Sequence, residues 1–149
     1  MLRARLFVVL FVLLLAISAV GYAQEFRSIE ITSWASGFES ASACTTMVNY
    51  ADSCNLNCVI PEIRLRCDAY YTSSIEPPGT GVVPSPPGFD SLADLISKAH
   101  PLGIEVNPWL VTWRIWTTVT GPPHMSPIEH IWWTHGPGNT DPDQDWLMY

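Results

Sequence analysis

Hydrophobic positions fall in three short runs separated by two helical stripes. Phe26 to Trp34 alternates, with Ile29 and Ile31 on one side and Trp34 near the end, which predicts a first strand. Ser33 to Ser42 is rich in Gly and Ser and reads as loop. From about Ala43 to Asn55, Cys44, Met47, Val48, Ala51 and Cys54 recur at helical spacing. Leu56 to Arg64 is a second strand, almost continuously apolar at its start, as expected of a strand covered on both faces. Glu76 to Gly88 carries Pro77, Pro78, Pro84, Pro86 and Pro87 with three glycines, so it is irregular. Asp90 and Ser91 are N-cap candidates for a second helix. Leu92, Leu95, Ile96 and Ala99 form its buried stripe, and Gly103 is placed to end it. Ile104 to about Val111 is the third strand, with Pro108 marking a strand end or bulge. Beyond Thr112 no period is visible.

The order β-α-β-α-β predicts an α/β fold with a parallel sheet. Polar and aromatic residues then collect at the carboxyl ends of the strands, where α/β barrels place their sites. Three strands alone leave both sheet edges open, so the expectation is an incomplete architecture.

Residues 1–23 stand apart. Arg3 and Arg5 precede an apolar run from Leu6 to Val20, and small residues at Gly21 and Ala23 suit cleavage before Gln24. The run is only a little shorter than the roughly 18 to 20 apolar residues of a spanning helix, so an uncleaved membrane anchor is the alternative reading. The small-residue flank makes the expectation a signal peptide over 1–23, export to a secreted or periplasmic location, and no membrane attachment after cleavage. The remaining residues, 24–149, suit one modest domain.

Charge narrows the partners. The chain carries 7 basic and 14 acidic residues, a net −7 that becomes −9 once Arg3 and Arg5 leave. Without clustered Lys or Arg, a nucleic-acid partner is not expected. Four cysteines, 44, 54, 58 and 67, allow up to two disulfides. Cys44 and Cys54 on one helix would lie about 15 Å apart, beyond bridging distance. Cys58 and Cys67 sit near opposite ends of one extended segment. Buried or free thiols are thus expected ahead of cross-element disulfides. No zinc knuckle is present. His124, His130 and His135 lack ligand spacing, and Asp141, Asp143 and Asp145 lack the glycine and glutamate of a calcium loop. Neither a metal nor another cofactor is expected.

The stretch Glu62-Ile63-Arg64-Leu65-Arg66-Cys67-Asp68-Ala69-Tyr70-Tyr71, followed by Ser73 and Glu76-Pro77, resembles the glycosyl hydrolase-like 10 family. That family's pattern there is Q-V-R-x-x-G-D-A-x-Y-x-S with a following E-P. Phe89-Asp90-Ser91-Leu92, Ala99-His100 with Gly103, and Glu105-Val106-Asn107-Pro108-Trp109 resemble its F-D-P-L, A-H-x-x-G and E-V-H-A-W stretches in the same order. Glu62, Cys67 and Asn107 depart from the family's usual Gln, Gly and His.

The resemblance implies a (β/α)8 TIM barrel acting on glycosidic bonds in polysaccharide or cell-wall glycan. The chain would supply the first three β/α units and a long Trp-rich loop, against roughly 250 residues for a whole barrel. Glycosidases work through two carboxyl groups. In such barrels these come from later strands, so the catalytic residues are expected outside this chain, leaving it inactive alone. Arg64, Asp68, Tyr71, Asn107 and Trp109 are the expected substrate-binding residues. Arg64 and Asp68 would hold sugar hydroxyls, and Tyr71 or Trp109 would stack on a sugar face. The competing reading makes Arg64 and Asp68 a structural ion pair and gives the tryptophans to packing. A non-catalytic carbohydrate-binding remnant, or a truncated product that does not fold alone, are the alternative functional readings.

Overall fold

The computed structural model describes residues 25–35, 37–80, 85–118 and 120–136. The expected signal peptide, Asp141, Asp143, Asp145 and Trp146 lie outside them. The elements run β1 (Ser28–Ile31), α1 (Ala41–Ser53), β2 (Cys58–Arg64), α2 (Ser91–Ala99), a 3-10 turn (His100–Leu102), β3 (Glu105–Val106), β4 (Trp109–Leu110) and α3 (Ile131–His135). All the strand pairings are parallel: β1 and β3 flank β2, and β4 also pairs with β2. Among the described residues, no helix is long and apolar enough to cross a membrane.

Both longer helices begin at capped positions. Ser40 Oγ accepts the Ala43 N–H at 3.2 Å, starting α1 two residues before the periodicity predicts. Asp90 Oδ1 accepts the Ala93 N–H at 2.8 Å to start α2, and Gly103, at φ 72°, terminates the 3-10 turn that follows. Cys44, Val48 and Ala51 of α1 and Leu95 and Ala99 of α2 are buried against Val59, Ile63 and Ile104. Phe38 and Tyr70 close this core edge to face, 5.4 Å between centroids. Cys54 falls off the stripe, exposed at the end of α1. All four cysteines are free, and the other three are buried.

The expected single strand over 104–111 is two. Glu105 and Asn107 donate to the carbonyls of Asn57 and Val59, at 2.9 Å each. In this register the next rung runs from residue 61 to the Asn107 carbonyl, and Pro61 has no N–H to give. The ladder lapses there, opposite Pro108. It resumes at Glu62↔Trp109 and then slips by one residue to Arg64↔Leu110.

Candidate functional site

The carboxyl ends of the strands are built by the chain that leaves β2. After Arg64 it curls through Leu65 and Arg66, and Cys67 adopts φ 56°, the left-handed region. Asp68 then ties the curl together. Its Oδ1 accepts the Arg66 N–H at 3.0 Å, and its Oδ2 accepts the Thr80 N–H at 3.1 Å and Thr80 Oγ1–H at 2.9 Å. Next, Tyr71, Thr72 and Ser73 pass over the rim. The Thr72 N–H is held by Asp90 Oδ2 at 2.9 Å, so one carboxylate caps α2 and fixes the rim. Burial pushes the Asp90 carboxyl up, but the N–H groups of Ala93 and Thr72 outweigh it and hold it below its ordinary value.

Two clefts adjoin this rim. One, of about 430 Å³, is lined by Arg64, Tyr71, Thr72, Ser73, Ser74, Ile75, Glu76 and Leu110. The other, of about 220 Å³, shares Tyr71, Thr72, Ser73 and Glu76 and reaches Phe89 and Ser126–Ile128. These volumes bracket the lower end of small-ligand sites. At the first cleft, Arg64 Nε donates to Glu76 Oε1 at 2.6 Å, with Nη2 2.5 Å from the same oxygen. Nη1 donates to the Val111 carbonyl at 2.6 Å, and Nη2 also approaches Cys67 Sγ at 3.2 Å. Burial works against the Arg64 charge, but Glu76 beside it leaves the guanidinium more firmly protonated than usual. Burial raises the Tyr71 phenol and the Glu76 carboxylate raises it further, so Tyr71 is a neutral hydrogen-bonding group at physiological pH. The paired charges and neutral phenol give a cleft suited to an uncharged polar ligand.

The expected site residues divide. Arg64 and Tyr71 share the cleft. Asn107 is exposed beside the ladder gap, its Nδ2 donating to Cys58 Sγ at 3.2 Å. Trp109, 38% exposed, stands on β4 and lines neither cleft. Asp68 is fully buried, so a role in holding sugar hydroxyls gives way to a role in holding the loop. The competing reading of an Arg64–Asp68 ion pair is also corrected: Arg64 pairs with Glu76, and Asp68 with Arg66 at 3.6 Å. Glu76 is the site residue that sequence reasoning missed. Its one signal is its place in the E-P dipeptide, whose backbone Ser73 Oγ steadies by accepting the Glu76 N–H at 3.0 Å. Among the described residues, no cluster of three or more His, Cys, Asp and Glu side chains is placed to hold a metal.

The sequence profile of the glycosyl hydrolase-like 10 family matches residues 25–141, which includes every strand and helix above. The chain belongs to that family. It is also similar to the Glycosyl hydrolase YngK of Bacillus subtilis (strain 168), with 36% identity over 63 residues. That alignment covers 40% of this chain and 12% of the relative, so the chain spans a small part of the curated protein it matches.

Membership gives the departures a physical meaning. Glycine takes the left-handed conformation at residue 67 without steric cost, and Cys67 occupies it with its side chain packed under Arg64. Burial raises the Cys67 thiol, and neighbouring Arg64 only partly opposes this. Glu62, in the place of the family's Gln, is buried, and its Oε2 accepts both the N–H and the Oγ–H of Ser33 at 2.9 Å.

Proposed function

We propose that this chain forms the amino-terminal β/α units of an exported, barrel-type glycoside hydrolase acting on polysaccharide or cell-wall glycan. Its part is to bind sugar at the carboxyl ends of the strands. The observation that carries this reading is the cleft in which Arg64, Glu76 and Tyr71 converge at the end of β2. Tyr71 offers an aromatic ring and a neutral hydroxyl, and Thr72 and Ser73 line the cleft beside it. Signal-peptide character over residues 1–23 supports export, and the acidic charge argues against nucleic acid.

The catalytic carboxyl pair lies elsewhere in this reading. Around the end of β2, Glu62 and Asp68 are buried in structural hydrogen bonds and Glu76 is committed to Arg64. A glycosidase needs two carboxyl groups about 5 to 9.5 Å apart flanking the scissile bond. Binding without hydrolysis by this chain alone follows. The full chain would be titrated with cellotetraose and chitotetraose by calorimetry, with released reducing ends assayed in parallel. Binding that Tyr71→Ala weakens, with no release of reducing ends, is expected. Failure to bind either sugar would sink the reading, and hydrolysis would overturn the placement of the acids.

A further inference from the structure

A second feature occupies the same end of the sheet. The Arg66 guanidinium carbon lies 4.6 Å from the centre of the Trp34 ring and 4.4 Å from that of Trp116. Trp34 follows β1 by three residues, Arg66 follows β2 by two, and Trp116 follows β4 by six. Arg66 is buried, anchored through Nη2 by Asp68 at 3.6 Å and Thr80 Oγ1 at 3.1 Å. Its Nε is buried without a hydrogen-bond partner, so the two rings complete its surroundings. Trp116 is held in turn by His130, edge to face at 5.5 Å, and His130 Nε2 lies 2.5 Å from the Arg66 carbonyl.

Trp34 is nevertheless 53% exposed. An exposed tryptophan ordinarily samples several rotamers, and ordering it costs a ligand part of its binding energy. Here a buried, doubly anchored cation covers part of the ring, so its plane is set before any ligand arrives. Trp113, at 92% exposure, has almost no protein surface to hold it. The ligand chemistry follows from the platform. A flat, uncharged aromatic face favours a ring that presents C–H groups, as the faces of a pyranose do. The nearby guanidinium is already paired with Asp68 and is not free to recruit an anion.

We infer that Trp34, fixed by Arg66, is a stacking subsite for a pyranose of the glycan. This rests on the proposal that these strand ends bind carbohydrate. The test is 19F NMR of the full chain labelled with 5-fluorotryptophan, with the Trp34 resonance assigned through Trp34→Phe. Titrations would use cellotetraose, chitotetraose and β-1,4-galactotetraose. The Trp34 resonance should move with each of these that binds. Trp34→Ala should weaken binding about five- to tenfold, and Trp34→Phe, which keeps an aromatic face, by less. Should Trp34→Ala compromise folding, the wild-type resonance and the Phe variant carry the test. If cellotetraose or chitotetraose binds while the Trp34 resonance stays still and Trp34→Phe binds unchanged, the stacking subsite is overturned and the carbohydrate reading survives. If no tetrasaccharide binds, both fall.

Discussion

Replacing Asp68 with alanine separates structural from ligand roles at the strand ends. The carboxylate is fully buried and accepts from two backbone N–H groups, those of Arg66 and Thr80, and from the Thr80 hydroxyl. It is also the counter-charge for Arg66, whose side chain is 7% exposed. Removing one partner of a buried ion pair costs roughly 3 to 5 kcal/mol. Each orphaned buried N–H costs roughly 1 to 3 kcal/mol more, and these penalties overlap because they share one site. The expected loss for Asp68→Ala is about 4 kcal/mol, a large fraction of the roughly 5 to 15 kcal/mol available to a domain. Asp68→Asn keeps one acceptor oxygen and should lose about half as much. Urea unfolding of the full chain, followed by tryptophan fluorescence and far-UV circular dichroism, reads the difference. A loss below about 1 kcal/mol for Asp68→Ala would refute the reasoning. Unchanged stability with abolished tetrasaccharide binding would return Asp68 to the rim as a ligand.

Two further predictions concern acid and thiols. His130 caps α3: its Nδ1 accepts the Trp132 N–H at 3.1 Å, which leaves Nε2–H to donate to the Arg66 carbonyl. Burial lowers its pKa below the ordinary 6.5, an effect that the Arg66 carbonyl and nearby acids only partly offset. The unfolded chain therefore takes up a proton first. Stability from the neutral imidazole is fully present above about pH 6.5 and is lost as pH falls toward the lower folded value. His130→Gln should flatten the pH dependence of the unfolding midpoint between pH 7 and 5, and an unaltered slope would exclude His130 as its source. A disulfide reagent at neutral pH should titrate Cys54 rapidly in the native chain and all four thiols after denaturation. Burial, reinforced by Asp94, pushes the Cys44 thiol up to about 12. More than one fast native thiol would contradict the packing around α1 and β2.

Local chemistry was legible in the sequence and pairing across the rim was not. The stripe Cys44, Val48, Ala51 and the cap at Asp90 depend on residues within two turns of each other, so spacing alone reveals them. The ladder gap could be anticipated near Pro108, but its cause on the opposing strand, Pro61, depends on a register that only the folded sheet defines. The exchange of ion-pair partners has a similar origin. Cys67 turns the backbone through the left-handed region, which sends Arg64 to Glu76 and leaves Asp68 to Arg66. Trp34 and Trp116 meet at one guanidinium from opposite ends of the sequence, a contact no periodicity encodes.

The gap at Pro61 also sets how the sheet comes undone. β3 and β4 hang on β2 as separate short ladders, so the edge bearing Trp109 and Leu110 detaches without disturbing the rungs of Glu105 and Asn107. What fastens that edge is the Val111 N–H bond to the Arg64 carbonyl and the return bond from Arg64 Nη1 to Val111. Arg64 is also the partner of Glu76. One residue thus ties both the β4 edge and the Glu76 carboxylate, and amide exchange at Val111 would report fraying of that edge.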